Sequence, residues 1–569
     1  MKFIENTINK SLVEEILAAK DDILKMKTIP SIDLKGYQIY LREGNRSIFE
    51  TQYFERRRLL SVMGLSMLIE KNKRDIECLE NIIWQVCSEY TWALPAHLTI
   101  KDNTYDKNAR YCIDLFSAET AQTLAEFYEL YKEFFSTEIK DRIIYEINNR
   151  VFTPLLDKKW DFEDKENNWS AVIGSSLGMA AISILGDNPL RQKQIFQKVD
   201  TCLESYLKGF KNDGACVEGV GYWAYGFGYY CYFAEKYKLA FKNNKYLENP
   251  LLKNIANFPV GMEIGRGKFV QFADSTIAIA ELPTGLLCYC KKQFSVSLPY
   301  TKGVSVLYDN ECYRWAELSR NLIWTNSTLN SSDTVFKRKY FEDEQWLIIN
   351  EENGFLFAAK AGKNNDSHNH NDVGNFVLGF KDELFLIDFG AGKYTKDYFN
   401  DEKRYNMLVN RSMGHSVPII NDNEEIFGNY KAYNVIIDRS KEKVTFSMNL
   451  ENVYPLITNL ISFNREFDIY PDKKFIDIKD NMLFDEKDNK VYQNFASKIK
   501  PIINNNTIKW TGSYGTLTLE SIRDLDDVVV LQEKITNHYG TYETIYRTLI
   551  RKSFISKTYS SKLTFYIDT

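Results

Sequence analysis

Apolar residues recur at spacings of three and four along the first part of this chain, and at a spacing of two along the rest. The change falls between about residues 310 and 335. A period near 3.6 buries one stripe of a helix, and a period of 2 buries one face of a strand, so the switch requires two kinds of packing layer. The helical runs are Phe54 to Lys71, Arg74 to Tyr90, Ala118 to Phe135, Glu138 to Leu155, Trp169 to Leu185, Leu190 to Phe210 and Tyr222 to Lys238. Links such as Lys71-Asn72-Lys73 and Gly186-Asp187-Asn188-Pro189 are short. They predict stacked helix pairs, and several pairs in succession can close into an (α/α) toroid. The strand-like runs begin at Trp346 to Ile349 and Gly354 to Ala359. A hairpin follows, Phe376 to Phe380 and Leu384 to Ile387, turning at Lys381-Asp382-Glu383. Val444 to Met448, Phe475 to Ile478, Thr516 to Leu519, Val528 to Gln532, Thr544 to Ile550 and Leu563 to Ile567 continue the pattern. Strands without intervening helices predict an antiparallel β-sandwich. The expected fold is thus multidomain α+β, with a helical toroid over residues 1–325 and a sandwich over 336–569. The stretch Leu322 to Lys337, rich in Asn, Ser and Thr, is the expected linker.

Charge narrows the partners. The formal net charge is −5, and no basic stripe of the kind that nucleic acid requires is visible. No run approaches the roughly 18 apolar residues of a membrane span. The opening Met1-Lys2-Phe3-Ile4-Glu5-Asn6 lacks the apolar core of a secretion leader, so a cytoplasmic protein is the expectation, although a trimmed secreted chain reads the same. The nine cysteines are odd in number and all fall in the first 312 residues, which reads as reduced thiols rather than a disulfide framework. Aromatic residues reach 14%. Most fill cores, but Tyr and Trp also supply the flat, polar-tipped faces that sugars need.

Histidine is scarce, five in 569 residues, yet three of them fall in one region. His368 and His370 lie in Ser367-His368-Asn369-His370-Asn371-Asp372, and His415 in Met413-Gly414-His415-Ser416. Asp388 lies between them in sequence. Two imidazoles and a carboxylate make a sound N2O ligand set. Run extended, residues 368 to 370 would point both rings to one face, so a ligand role and a proton-transfer role need a local twist to separate them.

With the helical motifs Asn167-Asn168-Trp169-Ser170, Glu218-Gly219-Val220-Gly221-Tyr222-Trp223-Ala224-Tyr225, Leu94-Pro95-Ala96-His97 and Ile113 to Ala121, this set resembles the heparinase II/III superfamily of polysaccharide lyases over roughly residues 90 to 550. The resemblance implies a toroid followed by a β-sandwich, and β-elimination on an anionic, uronate-containing glycan such as a hyaluronan, chondroitin or heparosan type. It implies catalytic roles for Asn168, Tyr222 and His368, and a metal, usually zinc and structural, held by His370, Asp388 and His415. His97, Glu218, Trp169, Tyr225 and Arg404 are the implied substrate contacts, with Glu218 open between touching sugar and holding its loop. Removing the C5 proton of a uronate requires a group that neutralises the carboxylate, a base, and an acid for the departing O4. Residue type alone leaves Asn168 open between that role and a helix N-cap, and leaves Tyr225, three residues from Tyr222, as a rival proton-transfer group. A zinc hydrolase built on the same ligands, for which Asp372 is a weak option as general base, and a non-catalytic carbohydrate-binding protein are the alternatives. The sequence leaves the oligomeric state open, a dimer included, and the lack of a basic run disfavours a highly sulfated polymer.

Overall fold

A computed structural model of the chain describes residues 7–275, 282–331, 336–504, 506–520 and 527–569. The chain divides into two compact units. One comprises Met1–Gly214, Tyr222–Asn257 and Glu281–Ser332; the other comprises Ala215–Gly221, Phe258–Ala280 and Asp333–Thr569. The strand-rich unit thus also takes two short segments from the middle of the helical part. Hydrophobic periodicity cannot announce such segments, because most of their described residues lie outside regular helices and strands.

All seven expected helical runs are helices, and their ends are set by caps rather than by the apolar pattern. Asp114 accepts from the Ser117 amide in a capping box, so the helix begins at Leu115, three residues before the first residue expected. Asn72 opens Lys73–Cys87, and Asn188 followed by Pro189 opens Pro189–Lys208. Helices Lys10–Lys25, Leu34–Glu43, Leu251–Met262, Thr284–Phe294 and Trp315–Trp324 were not foreseen. The last of these reaches into the expected linker, and of that stretch residues 332–335 lie outside the described residues. Helix Asn168–Ile184 is buried on almost every side as far as Ala181. Its glycines make room for neighbours: a Cβ at Gly178 would lie 2.4 Å from the Phe233 ring, and one at Gly174 would lie 2.7 Å from Cys202 Cβ. Among the described residues no helix is long and apolar enough to cross a membrane.

The strand-rich unit holds three larger sheets, all paired antiparallel. Lys337–Phe341, Trp346–Asn350, Phe355–Lys360, Phe376–Phe380 and Glu383–Leu386 form a meander in sequence order. An eight-stranded sheet runs in the order Ile502–Asn504, Thr507–Thr511, Thr516–Glu520, Thr558–Asp568, Phe475–Phe484, Leu460–Tyr470, Val444–Asn449, Tyr433–Arg439. A four-stranded sheet joins Asp527–Thr536, Tyr542–Ile555, Asp488–Ser497 and Ile419–Ile420. One apolar core draws Phe357 and Phe376 from the first sheet, Phe467 and Phe565 from the second, and Phe495 and Ile550 from the third. Val444–Asn449 alternates buried and half-buried residues, as a strand with one covered face should, whereas Trp346–Asn350 is buried throughout. The expected class, a helical toroid followed by an antiparallel β-sandwich, is the fold observed.

Candidate active site and metal centre

In the strand-rich unit the connection between strands Phe355–Lys360 and Phe376–Phe380 carries His368, His370 and Asp372. Asp388 follows strand Glu383–Leu386, and His415 precedes Ile419–Ile420. One ligand atom from each of His370, Asp372, Asp388 and His415 lies within 4.8 Å of every other. The three expected ligands therefore come together, and Asp372 joins them. His370, Asp372 and His415 have no exposed surface, and Asp388 is 1% exposed.

The outer hydrogen bonds of this group suit a cation. His370 Nε2–H donates to Asp274 Oδ1 at 3.0 Å, which leaves its Nδ1 as a buried lone pair without a hydrogen-bond partner. His415 Nε2–H donates to the Val409 carbonyl at 3.1 Å, so its Nδ1 faces Asp388 Oδ2 at 3.3 Å and Asp372 Oδ2 at 3.8 Å. Asp372 Oδ2 accepts no hydrogen bond, while its other oxygen takes one from Lys360 Nζ at 2.6 Å. Asn375 Nδ2 donates to Asp388 Oδ2 at 2.9 Å. Orphaned polar atoms are costly in a dry interior, and four converging donors of N and O type would satisfy a divalent ion. Burial lowers the His370 pKa more than Asp274 raises it, which favours the neutral, ligating ring.

His368 is different. It sits at φ +58°, in the left-handed region, and this supplies the twist that separates its side chain from that of His370. Its side chain is 16% exposed, whereas those of His370 and His415 are fully buried. Nδ1–H donates to Asp274 Oδ2 at 2.6 Å, and Nε2 lies 3.6 Å from Glu218 Oε1. Burial opposes charge on this ring, yet the hydrogen bond to Asp274 and that residue's charge leave its pKa raised. Asp274 also accepts from Arg404 Nη2 at 3.0 and 3.1 Å and from the Tyr398 hydroxyl. Burial alone would raise the Asp274 pKa, but Arg404 and the two histidines outweigh it and hold the carboxyl well below its usual range.

Arg404, expected to meet a substrate carboxylate, is buried; besides Asp274 it donates to the Asn369 and Tyr398 carbonyls. Glu218 accepts from Ser367 Oγ at 2.9 Å, so it braces the His368 loop. Gly219 beside it sits at φ +93°, and a Cβ there would come within 2.0 Å of Ser275 Oγ.

The helical unit holds the other expected residues. Asn167, not Asn168, caps helix Asn168–Ile184, accepting from the Trp169 amide at 3.1 Å. Asn168 is buried, 2% exposed. A Cβ on Gly226 would lie 3.3 Å from Asn168 Cα, so the face of helix Val220–Phe241 that carries Gly226 meets Asn168 closely. Tyr222 is one turn earlier on that face. Tyr225 points elsewhere. Its hydroxyl donates to Glu119 Oε1 at 2.7 Å, and the Arg314 guanidinium lies 4.1 Å from its ring centre. Burial, and then the Glu119 charge, push the Tyr225 hydroxyl well above its ordinary pKa. His97 Nδ1–H donates to Asp114 at 2.8 Å, and its ring meets Trp169 edge-on at 5.0 Å.

Asp274, Glu119 and Arg314 were missed, and Asp372 was expected only as a general base beside the metal in the hydrolase alternative, not as a ligand. Asp372 had a signal, because it lies two residues beyond His370. Asp274, in the irregular run Phe272-Ala273-Asp274-Ser275, had none.

Residues 334–522 match the family model described as heparinase II/III-like, C-terminal. Solved structures share the fold over nearly the whole chain. The heparan sulfate lyase HepC mutant from Pedobacter heparinus is 12% identical with a TM-score of 0.64, covering 97% of this chain and 83% of that one. The heparinase III BT4657 gene product is 10% identical with a TM-score of 0.64, covering 99% and 91%. The chondroitin AC lyase of Streptomyces coelicolor A3 in complex with chondroitin sulphate is 9% identical with a TM-score of 0.57, covering 98% and 79%. Among curated proteins, none matches this chain.

Proposed function

We propose that this chain, which carries a heparinase II/III-like C-terminal domain over residues 334–522, is a polysaccharide lyase that cleaves a uronate-containing glycan by β-elimination. The solved structures with this fold are named for lyases of heparan sulfate and chondroitin, which supports a substrate of the glycosaminoglycan class. The observation that carries the reading is the pairing in the helical unit of a buried Asn168, relieved of capping by Asn167, with the helix face that bears Tyr222.

The reaction needs no water. A base takes the proton on C5, the C4–C5 double bond forms, the C4–O4 bond breaks, and O4 receives a proton. The Asn168 amide meets the substrate carboxylate and stabilises the charge that grows toward the enolate-like transition state. Tyr222 and His368 are the proton-transfer groups. Asp274 accepts from His368 Nδ1, which leaves Nε2 as the atom that exchanges a proton. Tyr225 is a poor base because its hydroxyl donates to Glu119 and ionises with difficulty. His97 and Trp169, in contact with each other, are the proposed sugar contacts. Glu218 and Arg404, both buried and engaged within the protein, support the site rather than the substrate.

His370, Asp372, Asp388 and His415 would hold a divalent ion, zinc by ligand type, whose chemistry when bound is to fix these four side chains. Their burial favours this structural role over a hydrolytic one, since a catalytic ion keeps an open position for water.

Replacing Asn168 with Ala tests the assignment. The expected result is a fall in kcat of about 10²- to 10³-fold, with KM changed far less, because the amide's hydrogen bond to the carboxylate strengthens as charge grows toward the transition state. Unchanged kcat with lowered thermal stability would remove Asn168 from the mechanism.

A further inference from the structure

Asp274 is a single carboxylate that holds two histidines of different kinds. Its Oδ1 accepts from His370, which belongs to the cluster suited to a metal, and its Oδ2 accepts from His368, which does not. With both ring N–H groups bound, His370 is fixed with Nδ1 toward the other ligands, and His368 with Nε2 toward Glu218. Arg404 and Tyr398 occupy other acceptor sites of the same carboxylate, so its orientation is determined from several sides.

The backbone that presents Asp274 is gripped from the same region. The next residue, Ser275, gives its carbonyl to the Ala391 amide at 2.7 Å. Gly390, at φ +62°, lies so close that a Cβ there would fall 1.9 Å from that carbonyl oxygen. Gly390 in turn donates its amide to Asp388 Oδ1 at 3.0 Å. The path is therefore closed: Asp388 to Gly390 and Ala391, on to Ser275 and Asp274, and from Asp274 to His370 and back to the cluster. His368 is attached to this ring of contacts at Asp274.

We infer that Asp274 is a positioning residue that transmits the state of the His370–Asp372–Asp388–His415 cluster to His368, so that metal occupancy and the orientation of His368 are linked. The physical reason is stiffness. Without an ion, two carboxylates and two inward-facing ring nitrogens lie close together with no divalent charge to offset the repulsion of their lone pairs, and the cluster relaxes. Relaxation of His370 pulls on Asp274 Oδ1, and a carboxylate cannot move one oxygen alone. The consequence for catalysis rests on the lyase reading above; the linkage itself does not.

The chain has only five histidines, so a histidine-labelled full-length protein gives few ring signals, and His368→Gln identifies the one from His368. Zinc is removed with a chelator and restored as Zn²⁺ alone. The expected result for the native protein is that the His368 signal moves with those of His370 and His415, and returns on adding Zn²⁺. In Asp274→Asn, zinc affinity should fall about 10- to 100-fold, and the His368 signal should no longer follow zinc. In the zinc-loaded variant, kcat should fall with KM little changed. Should the Asn variant fold poorly, Asp274→Glu, which keeps the charge, should restore zinc binding in part, and the native titration decides the matter alone. A His368 signal indifferent to zinc in the native protein, equal response in Asp274→Asn, or no zinc binding at all would overturn the inference. A native protein that shows the linkage but makes no unsaturated uronate would leave the inference standing and remove the lyase reading.

Discussion

Two tyrosines three residues apart on one helix have opposite fates. The Tyr225 hydroxyl is committed to Glu119, which also accepts from Arg314 Nε at 2.9 Å, whereas Tyr222 shares a helix face with Gly226, which packs against Asn168. Tyr222→Phe should reduce kcat by about 10²- to 10⁴-fold without unfolding the protein, because only the hydroxyl proposed to transfer a proton is lost. Tyr225→Phe should keep most of the turnover and cost about 1–3 kcal/mol of stability, since Glu119 loses a buried donor. The reverse pattern in parallel kinetics and thermal melts would exchange the two roles. Glu126 offers a test of a different kind. It accepts from Arg320 Nη2 and Nη1 at 2.7 and 2.8 Å and from the Trp315 indole N–H at 2.6 Å, with Lys236 Nζ 3.2 Å away. Burial raises its pKa, but Arg320 and Lys236 outweigh burial and hold it well below the usual carboxylate range. A depressed folded pKa stabilises the protein above the unfolded value, near 4.3, and that stabilisation is lost as pH falls below it. Glu126→Gln should therefore lower Tm clearly at pH 7, and the gap from the native protein should narrow below about pH 4. A gap constant with pH would show that the Glu126 pKa is not depressed in the folded protein. At this scale the histidines and Asp388 were legible because their type is rare and their chemistry narrow. Asp274 was not, because one acid among 77 Asp and Glu carries no mark until the fold brings it to two histidines.

Elements were legible by period and illegible where caps or short irregular segments decide. The Asn168 helix is the clearest case. A dipeptide of two asparagines before an apolar run announces a cap, but not which residue fills it, and the backbone gives the task to Asn167. His368 is another. Its φ of +58° comes from a turn that a reading by alternation would have made extended. The approach of helix Val220–Phe241 to Asn168 depends on Gly226, where a Cβ would lie 3.0 Å from the Tyr206 hydroxyl oxygen and 3.3 Å from Asn168 Cα. Gly226→Ala should push the two helices apart by a few tenths of an ångström, cost about 1–3 kcal/mol, and lower kcat more than KM. Gly221→Ala is the control, since nothing lies within 4 Å of a Cβ there. Equal kinetics for the two variants would show that the spacing at Asn168 is not needed for turnover.

For the whole molecule, the switch of period separated helical from strand-rich regions, but the compact units are not two continuous stretches. Residues 215–221 and 258–280 belong to the strand-rich unit although helices flank them. Both segments supply site residues, Glu218 and Asp274, that brace His368. The central claim is that the chain breaks a glycosidic bond by elimination. The most direct measurement is to incubate it with a panel of hyaluronan, chondroitin, heparosan and alginate, polymers and oligomers, and follow both ultraviolet absorbance and product mass. At least one uronate glycan should give a rising absorbance from an unsaturated uronate end, with product masses that sum to the substrate. Cleavage without new absorbance, in which the products together gain one water, would contradict it and identify a hydrolase.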